Sequence, residues 1–361
     1  MKVFFLNKIL PKTGVSTHQI TLCKRLLDLG VEPIFITGNV DKDIEERIND
    51  IGIKIHRLPF PSGMGKKQNI LYQLFLYLIS IPLYLFFFVK HRPSVVHVHW
   101  PVTSYLAAMS RRIFDIPFVV THHIAGIEDN ILRRKGNMVI ATCLDLKKEL
   151  KYKFKYDEDA IRLVYNGIDF EHFSTFSNSH DVDGDFTVCH VGSINERKGI
   201  DILVKAYKLL DIKEKRLILQ GHGNEKFIND LVSDNKIVSS DNIEFVGFQD
   251  TRVTFGKSHC FVLASVKEGF VLTPLEAMAF GIPVIRSRCE GYSEQIDEGI
   301  NGLTFDVNDI TGLKNALVKV YSDLNLRTTM IESGKKKVKM NFTDKIMTNK
   351  TLDVYKEVIN K

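Results

Sequence analysis

Apolar runs of four to six residues recur along this chain, and between them lie stretches with helical rather than strand periodicity. Lys2–Leu6, Pro33–Thr37, Val95–His99, Phe118–Thr121, Val139–Thr142 and Arg162–Tyr165 read as strands of the buried, parallel type. Helices are expected at Ser16–Leu29, where Ser16 and Gln19 make a capping-box pattern before Gly30 stops the helix, and at Ser104–Phe114. Residues 171–185 are polar and aperiodic, which places a domain linker there. The rhythm then restarts, with strands at Phe186–Val191, Leu217–Gln220, Ile243–Phe245, Cys260–Leu263 and Pro283–Ile285. Helices follow at about Ile200–Leu210, Glu225–Val232, Pro274–Phe280 and finally Asp344–Ile359. Such alternation builds parallel sheets covered on both faces, so the chain reads as two α/β domains of similar size.

Composition narrows the setting. In 361 residues, 44% are apolar and 25% charged, which excludes a mainly disordered or multi-span membrane chain. The five cysteines (Cys23, Cys143, Cys189, Cys260 and Cys289) are scattered and odd in number, which favours a reducing compartment over a disulfide framework or zinc site. The apolar run at the start is too short for a secretory signal, so a cytoplasmic location is expected. Residues 1–172 carry 24 Lys and Arg against 17 Asp and Glu, a net +7, and the remainder is −1. That asymmetry suits an anionic partner for the first half, although a solvated lysine-rich surface explains it equally well.

Ile70–Val89 holds twenty residues without a charge, long enough to span a bilayer. Strands before and after it belong in one sheet, and a single crossing would separate them. Two readings remain: a helix buried on several faces, or one dipping into an anionic membrane surface between Lys66, Lys67, Lys90 and Arg92. Pro82 is expected to kink or divide it.

Four segments carry chemistry. In KEGFVLTPLEAMAFGIPVIRS (Lys267–Ser287), Gly269 lets a ligand reach backbone amides, and Thr273 with Pro274 opens a helix whose N-terminus suits a phosphate. Glu276, three residues on, is also placed as a capping-box partner for Thr273. In VGSINERKG (Val191–Gly199), the adjacent cations Arg197 and Lys198 suit a diphosphate. PKTGVS (Pro11–Ser16) is a glycine loop between strand and helix. His97, His99, His122 and His123 lie at strand ends, where parallel sheets bind ligands, without the partners of a zinc site.

Together these segments resemble the family-4 retaining glycosyltransferases of GT-B fold. Glu268 and Glu276 match the family's E-x7-E motif, followed by its EAMA-G-PV run and an NGL turn at Asn301–Leu303. VGSINERKG matches its V-G-x-x-x-x-x-K-G segment, YNGID (Tyr165–Asp169) its N-G-V/I-D turn, and VVHVHW and VVTHH its histidine-bearing strand ends. Two positions depart from the pattern: Ser193 stands where arginine is common, and Val271 where the E-G-F-G loop has its last glycine.

The resemblance implies two facing Rossmann-like domains with a cleft: residues 1–172 joined by the last helix (about 344–361) for the acceptor, and 186–343 for the nucleotide-sugar. It implies that Arg197 and Lys198 neutralise a leaving diphosphate with the amides of Leu272 and Thr273. Glu268 with the amides of Gly269 and Phe270 would hold the donor sugar, and Glu276 the ribose. Gly14 and His123 would approach the sugar from the first domain. The expected reaction is metal-independent hexosyl transfer from a nucleotide-diphospho-sugar, UDP-linked, to a cell-surface glycan or lipid-linked acceptor. The nucleotide-sugar is a substrate, so no cofactor is expected. An anionic membrane surface is a further expected partner and nucleic acid is not. A GT-B-like epimerase and a non-catalytic sugar-nucleotide scaffold are the competing readings.

Overall fold

The computed structural model describes residues 1–60, 70–126, 133–175 and 184–361. The chain divides into two compact units: residues 1–167 with 344–361, and residues 168–343. The sequence reading carries the first domain to residue 172. Residues 168–172 belong instead to the second unit, where Ile168 bridges to Thr343. Of the expected linker, residues 176–183 lie outside the described residues, as do Lys66 and Lys67.

In the first unit, seven strands form one parallel sheet: β1 (Lys2–Leu6), β2 (Glu32–Thr37), β3 (Lys54–Arg57), β4 (Val95–Val98), β5 (Phe118–His122), β6 (Met138–Ala141) and β7 (Ile161–Leu163). Their order is β3-β2-β1-β4-β5-β6-β7. Helices α1 (Gly14–Asp28), α2 (Lys42–Asp50), α3 (Ile70–His91), α4 (Ser104–Phe114) and α5 (Leu144–Tyr152) connect them. Residues Val3–Leu6 are fully buried because β1 is covered on both faces. Phe5 joins Ile20, Leu22 and Leu26 of α1 in one core, while Phe4 meets the rings of Tyr84 and Phe88 on α3.

The second unit opens with α6 (Phe170–Ser174) and repeats the design: β8 (Phe186–Val191), α7 (Ile200–Lys208), β9 (Lys215–Gln220), α8 (Glu225–Asp234), β10 (Ile243–Gly247), α9 (Thr251–Phe255) and β11 (Cys260–Leu263). Then follow α10 (Thr273–Phe280), β12 (Val284–Ser287), α11 (Tyr292–Gln295), β13 (Leu303–Phe305), α12 (Ile310–Ser322) and α13 (Leu324–Asn341). The parallel sheet runs β10-β9-β8-β11-β12-β13. The final helix, α14 (Asp344–Ile359), returns to the first unit. There Tyr355 Oη lies 2.6 Å from His97 Nδ1, and Asp344 accepts a 2.7 Å bond from Arg25 Nε.

Strand order reverses between β1 and β4 in one sheet and between β8 and β11 in the other. Those are the switch points where the connections diverge to opposite faces and leave a crevice at the strands' carboxyl ends.

Two local expectations are corrected. α1 starts at Gly14, not Ser16, with Thr13 at its N-cap. Ser16 Oγ donates to the Pro11 carbonyl at 2.6 Å, and Gln19 exchanges two hydrogen bonds with Asn7, so this pair ties α1 to the end of β1 instead of capping. α3 runs unbroken through Pro82 and is buried along one stripe (Ser80, Tyr84 and Phe88), not on several faces.

Candidate functional site

The switch point of the second sheet gathers the cationic segment and the acidic loop. After β8 the chain enters a single 3-10 turn, Glu196–Lys198, capped by the Asn195 side chain, which accepts from the Lys198 amide at 3.1 Å. Gly199 closes that turn at φ +61°, and a Cβ there would lie 2.0 Å from the Ala264 carbonyl oxygen. Only glycine permits this approach. It brings the turn against the end of β11, and Val266 N donates to the Arg197 carbonyl at 2.9 Å.

The result is a three-residue charge cluster. Lys198 Nζ lies 2.7 Å from Glu268 Oε1, and Arg197 Nη1 lies 2.9 Å from Glu268 Oε2. Lys198 and Glu268 are buried, whereas the Arg197 side chain is 40% exposed. Burial pushes the Glu268 carboxyl up, but the Lys198 and Arg197 cations beside it outweigh that and hold the group below its ordinary value. Two cations on one carboxylate leave net positive charge, which suits a phosphorylated ligand. Ser193, at the position where the resembled family often has arginine, is exposed.

Gly269, Phe270, Leu272, Thr273 and Glu276 continue from Glu268 into α10. Phe270 is buried with its ring 5.3 Å from that of Phe342, and Val271 offers its carbonyl to Gln295 Nε2 at 2.8 Å. Leu272, not Thr273, occupies the N-cap, and no side chain caps the helix. Thr273 is the first helical residue, and its buried Oγ1 has no hydrogen-bond partner among the described residues. This register puts Leu275 at the third helical position, so Glu276 is not the reciprocal partner of a capping box.

Three residues not singled out in the sequence support this loop. Arg286 is fully buried and donates to the carbonyls of Gly291 (3.3 Å) and Glu290 (3.1 Å) and to the Gln295 side chain. Glu290 in turn accepts from the Glu268 amide at 3.0 Å. Arg286 thereby fixes both ends of the acidic loop. The one available signal was an arginine inside an otherwise apolar strand, PVIRS.

In the first unit, the switch point gathers histidines. His99 follows β4, His123 follows β5, and His18 projects from α1, one turn beyond Gly14. A ring nitrogen from each lies within 4.8 Å of the others. His99 Nδ1 is 2.9 Å from His123 Nε2, and the rings of His18 and His123 are 4.9 Å apart. Burial lowers the His18 pKa to about 4; burial and neighbouring imidazoles hold His99 and His123 well below their ordinary value. The cluster is thus neutral at pH 7, able to donate and accept hydrogen bonds. His97, its ring 4.1 Å from that of His99, is pinned by the Tyr355 hydroxyl on one nitrogen and by Thr121 Oγ1, 2.6 Å from its Nε2, on the other. His122 turns to Arg133, 2.8 Å away. His18 was missed because it lies on a helix far from the strand-end motifs.

Two doubly covered parallel sheets, each with polar side chains converging at its switch point, define a doubly wound α/β protein of two Rossmann-like units. Residues 12–172 match the family model described as Glycosyltransferase Family 4, and residues 173–337 match that of Glycosyl transferases group 1. The chain belongs to the family-4 glycosyltransferases of GT-B fold. An uncharacterized glycosyltransferase of Methanocaldococcus jannaschii is 26% identical over 385 residues, covering 95% of this chain and 94% of that protein. The UDP-Gal:alpha-D-GlcNAc-diphosphoundecaprenol alpha-1,3-galactosyltransferase of Escherichia coli is 26% identical over 304 residues, 75% of this chain and 78% of its own. The crystal structure of Anabaena HepE in complex with UDP superposes with a TM-score of 0.81 at 18% identity, covering 99% of this chain and all of that one.

Proposed function

We propose that this glycosyltransferase moves a hexose from a UDP-linked donor to a hydroxyl of a glycan or lipid-linked acceptor, with retention and without a metal ion, at the cytoplasmic face of an anionic membrane. The observation that carries the reading is the Arg197–Glu268–Lys198 cluster beside the start of α10. The UDP complex of HepE and the UDP-Gal donor in the name of the Escherichia coli relative support UDP. The diphosphoundecaprenol in that same name supports a lipid-linked acceptor.

In this mechanism the anomeric C–O bond breaks toward the diphosphate, and negative charge grows on the leaving oxygen. Arg197, Lys198 and the amides of Leu272 and Thr273 stabilise that charge. The acceptor hydroxyl attacks the same face, and the departing phosphate takes its proton. Glu268, with the amides of Gly269 and Phe270, holds sugar hydroxyls, and Glu276 accepts from the ribose. Gly14 and His123 are the ligand contacts proposed for the first unit. A thermal-shift series with UDP, GDP, ADP and TDP tests the donor. UDP is expected to raise the melting temperature most, because a ligand that binds only the folded state stabilises it.

Glu276→Gln is expected to raise the donor KM at least tenfold, about 1.4 kcal/mol, with unchanged thermal stability, since the amide loses charge assistance to two hydroxyls. An unchanged donor KM removes Glu276 from the ribose.

Gly14→Ala separates folding from binding. A Cβ at Gly14 would meet nothing within 4 Å, and its φ is not left-handed, so nothing within the unit requires glycine there. Alanine is also the better helix former by about 1 kcal/mol. The variant is expected to melt no lower than wild type yet to lose most of its kcat/KM. Full activity would free Gly14 from any substrate.

A further inference from the structure

α3 is patterned inside out. Its inner face makes polar contacts: Ser80 Oγ donates to the Leu76 carbonyl at 2.8 Å, Tyr84 Oη meets Ser110 Oγ at 2.6 Å, and the Tyr77 backbone carbonyl accepts from Tyr105 Oη of α4 at 3.2 Å. Its opposite face is apolar and exposed. Leu71 is 70% exposed, Leu78 64%, Phe86 60%, and Leu74, Phe75 and Val89 are each about half exposed. A surface helix in water shows the reverse arrangement. The strip runs from Leu71 to Val89, about 27 Å at the helical rise.

Cations border one end of this strip. The Phe88 ring stacks on that of Phe114 at 4.6 Å, which sets the end of α3 beside the end of α4. Lys90 and Arg92 follow the first, Arg111 and Arg112 lie in the second, and all four are exposed. Among the described residues none of the four has an ion-pair partner, and Ile113 beside them is 53% exposed. Of the three consecutive phenylalanines, only Phe86 faces outward; Phe87 stacks on His56 and Phe88 on Phe114. Tyr84 and Phe88 pack on Phe4 of β1, so α3 is held against the sheet.

We infer that the outer face of α3 inserts into the acyl boundary of an anionic membrane, with Lys90, Arg92, Arg111 and Arg112 at the level of the headgroup phosphates. This rests on the membrane location proposed above and names the element and the mode of binding. The charge complementarity of the cationic border favours a lipid surface over a second copy of the chain, whose own border would repel it. Apolar insertion adds a component that salt does not screen.

The test is co-sedimentation of the full chain with vesicles of equal parts phosphatidylglycerol and phosphatidylcholine, at low and high salt. Wild type is expected to bind, and to retain part of its binding at high salt. Leu78→Gln combined with Phe86→Gln leaves every charge in place on a solvent-facing surface, and is expected to weaken binding at least tenfold and remove the salt-resistant part. Wild-type binding with an unaffected double variant overturns insertion of α3 but leaves the membrane location standing. No wild-type binding overturns both. As a second readout, Leu78→Trp should be quenched by brominated lipid acyl chains; absence of quenching in a bound protein also overturns the insertion. A dimer in solution that the double variant dissolves would assign the face to a second copy and overturn the proposal.

Discussion

Replacing Lys198 with alanine is expected to lower turnover by about 10²–10³-fold, the loss measured when one donor to a developing oxyanion is removed. The lysine is aimed at charge that grows as the diphosphate leaves, so the effect should fall on kcat more than on donor affinity. The structure adds a second consequence. Lys198 lies 2.7 Å from a buried carboxylate, so its loss leaves Glu268 with Arg197 alone. Stranding a buried charge costs stability, and the second unit should melt earlier. Lys198→Ala with Glu268→Gln removes the stranded charge and should recover most of the stability but none of the turnover. UDP binding to each variant, followed calorimetrically, shows that the site is still folded. Turnover above half of wild type in Lys198→Ala would remove Lys198 from the mechanism.

Acid is expected to unfold the first unit before the second. Burial lowers His18 to about 4 and His97 to about 3; burial and the Arg133 cation lower His122 to about 3; His99 and His123 stand well below their ordinary value. All five belong to the first unit. In the unfolded chain each takes a proton as pH falls through about 6.5, whereas the folded form does not until pH reaches the depressed value. Stability is therefore full above about 6.5 and falls below it, by about 1.4 kcal/mol per pH unit for each fully titrating group. Five such groups exhaust an ordinary domain stability of about 5–15 kcal/mol within about two pH units of the onset. In the second unit His190 is likewise held at about 4 by burial and by Lys198. Trp100 is the sole tryptophan of the chain and lies in the first unit, so its emission reports that unit alone. Emission unchanged down to pH 4 would contradict the prediction.

The strands that the sequence makes plain are those buried on both faces, such as Phe186–Val191 and Cys260–Leu263, because covered strands need unbroken apolar runs. β3 escaped notice for the opposite reason: KIHR is an edge strand, exposed or half-buried throughout. α2 buries only Ile44 and Ile48, too few to set a period. The charge cluster was legible because its members come from two short, motif-bearing segments. His18, Arg286, Glu290 and Gln295 were not, since their convergence depends on strand order and on backbone carbonyls, neither of which leaves a local pattern. Helix boundaries shifted by one or two residues, which at α10 was enough to move Glu276 out of capping register.

The return of α14 to the first unit has a consequence for synthesis. Residues 168–343 are contiguous, so the second unit has all its parts once they have left the ribosome. The first unit does not, although it is translated earlier. Until residues 344–361 emerge, Arg25 lacks Asp344, His97 lacks the Tyr355 hydroxyl, and the core lacks Met347, Val354 and Val358. A nascent or truncated chain ending before Asp344 therefore presents that unfilled core for the whole time the second unit takes to be made. Vectorial order is inverted: the first unit is finished only after the second, and a stop codon between residues 344 and 361 is a lesion of the sheet that contains β1.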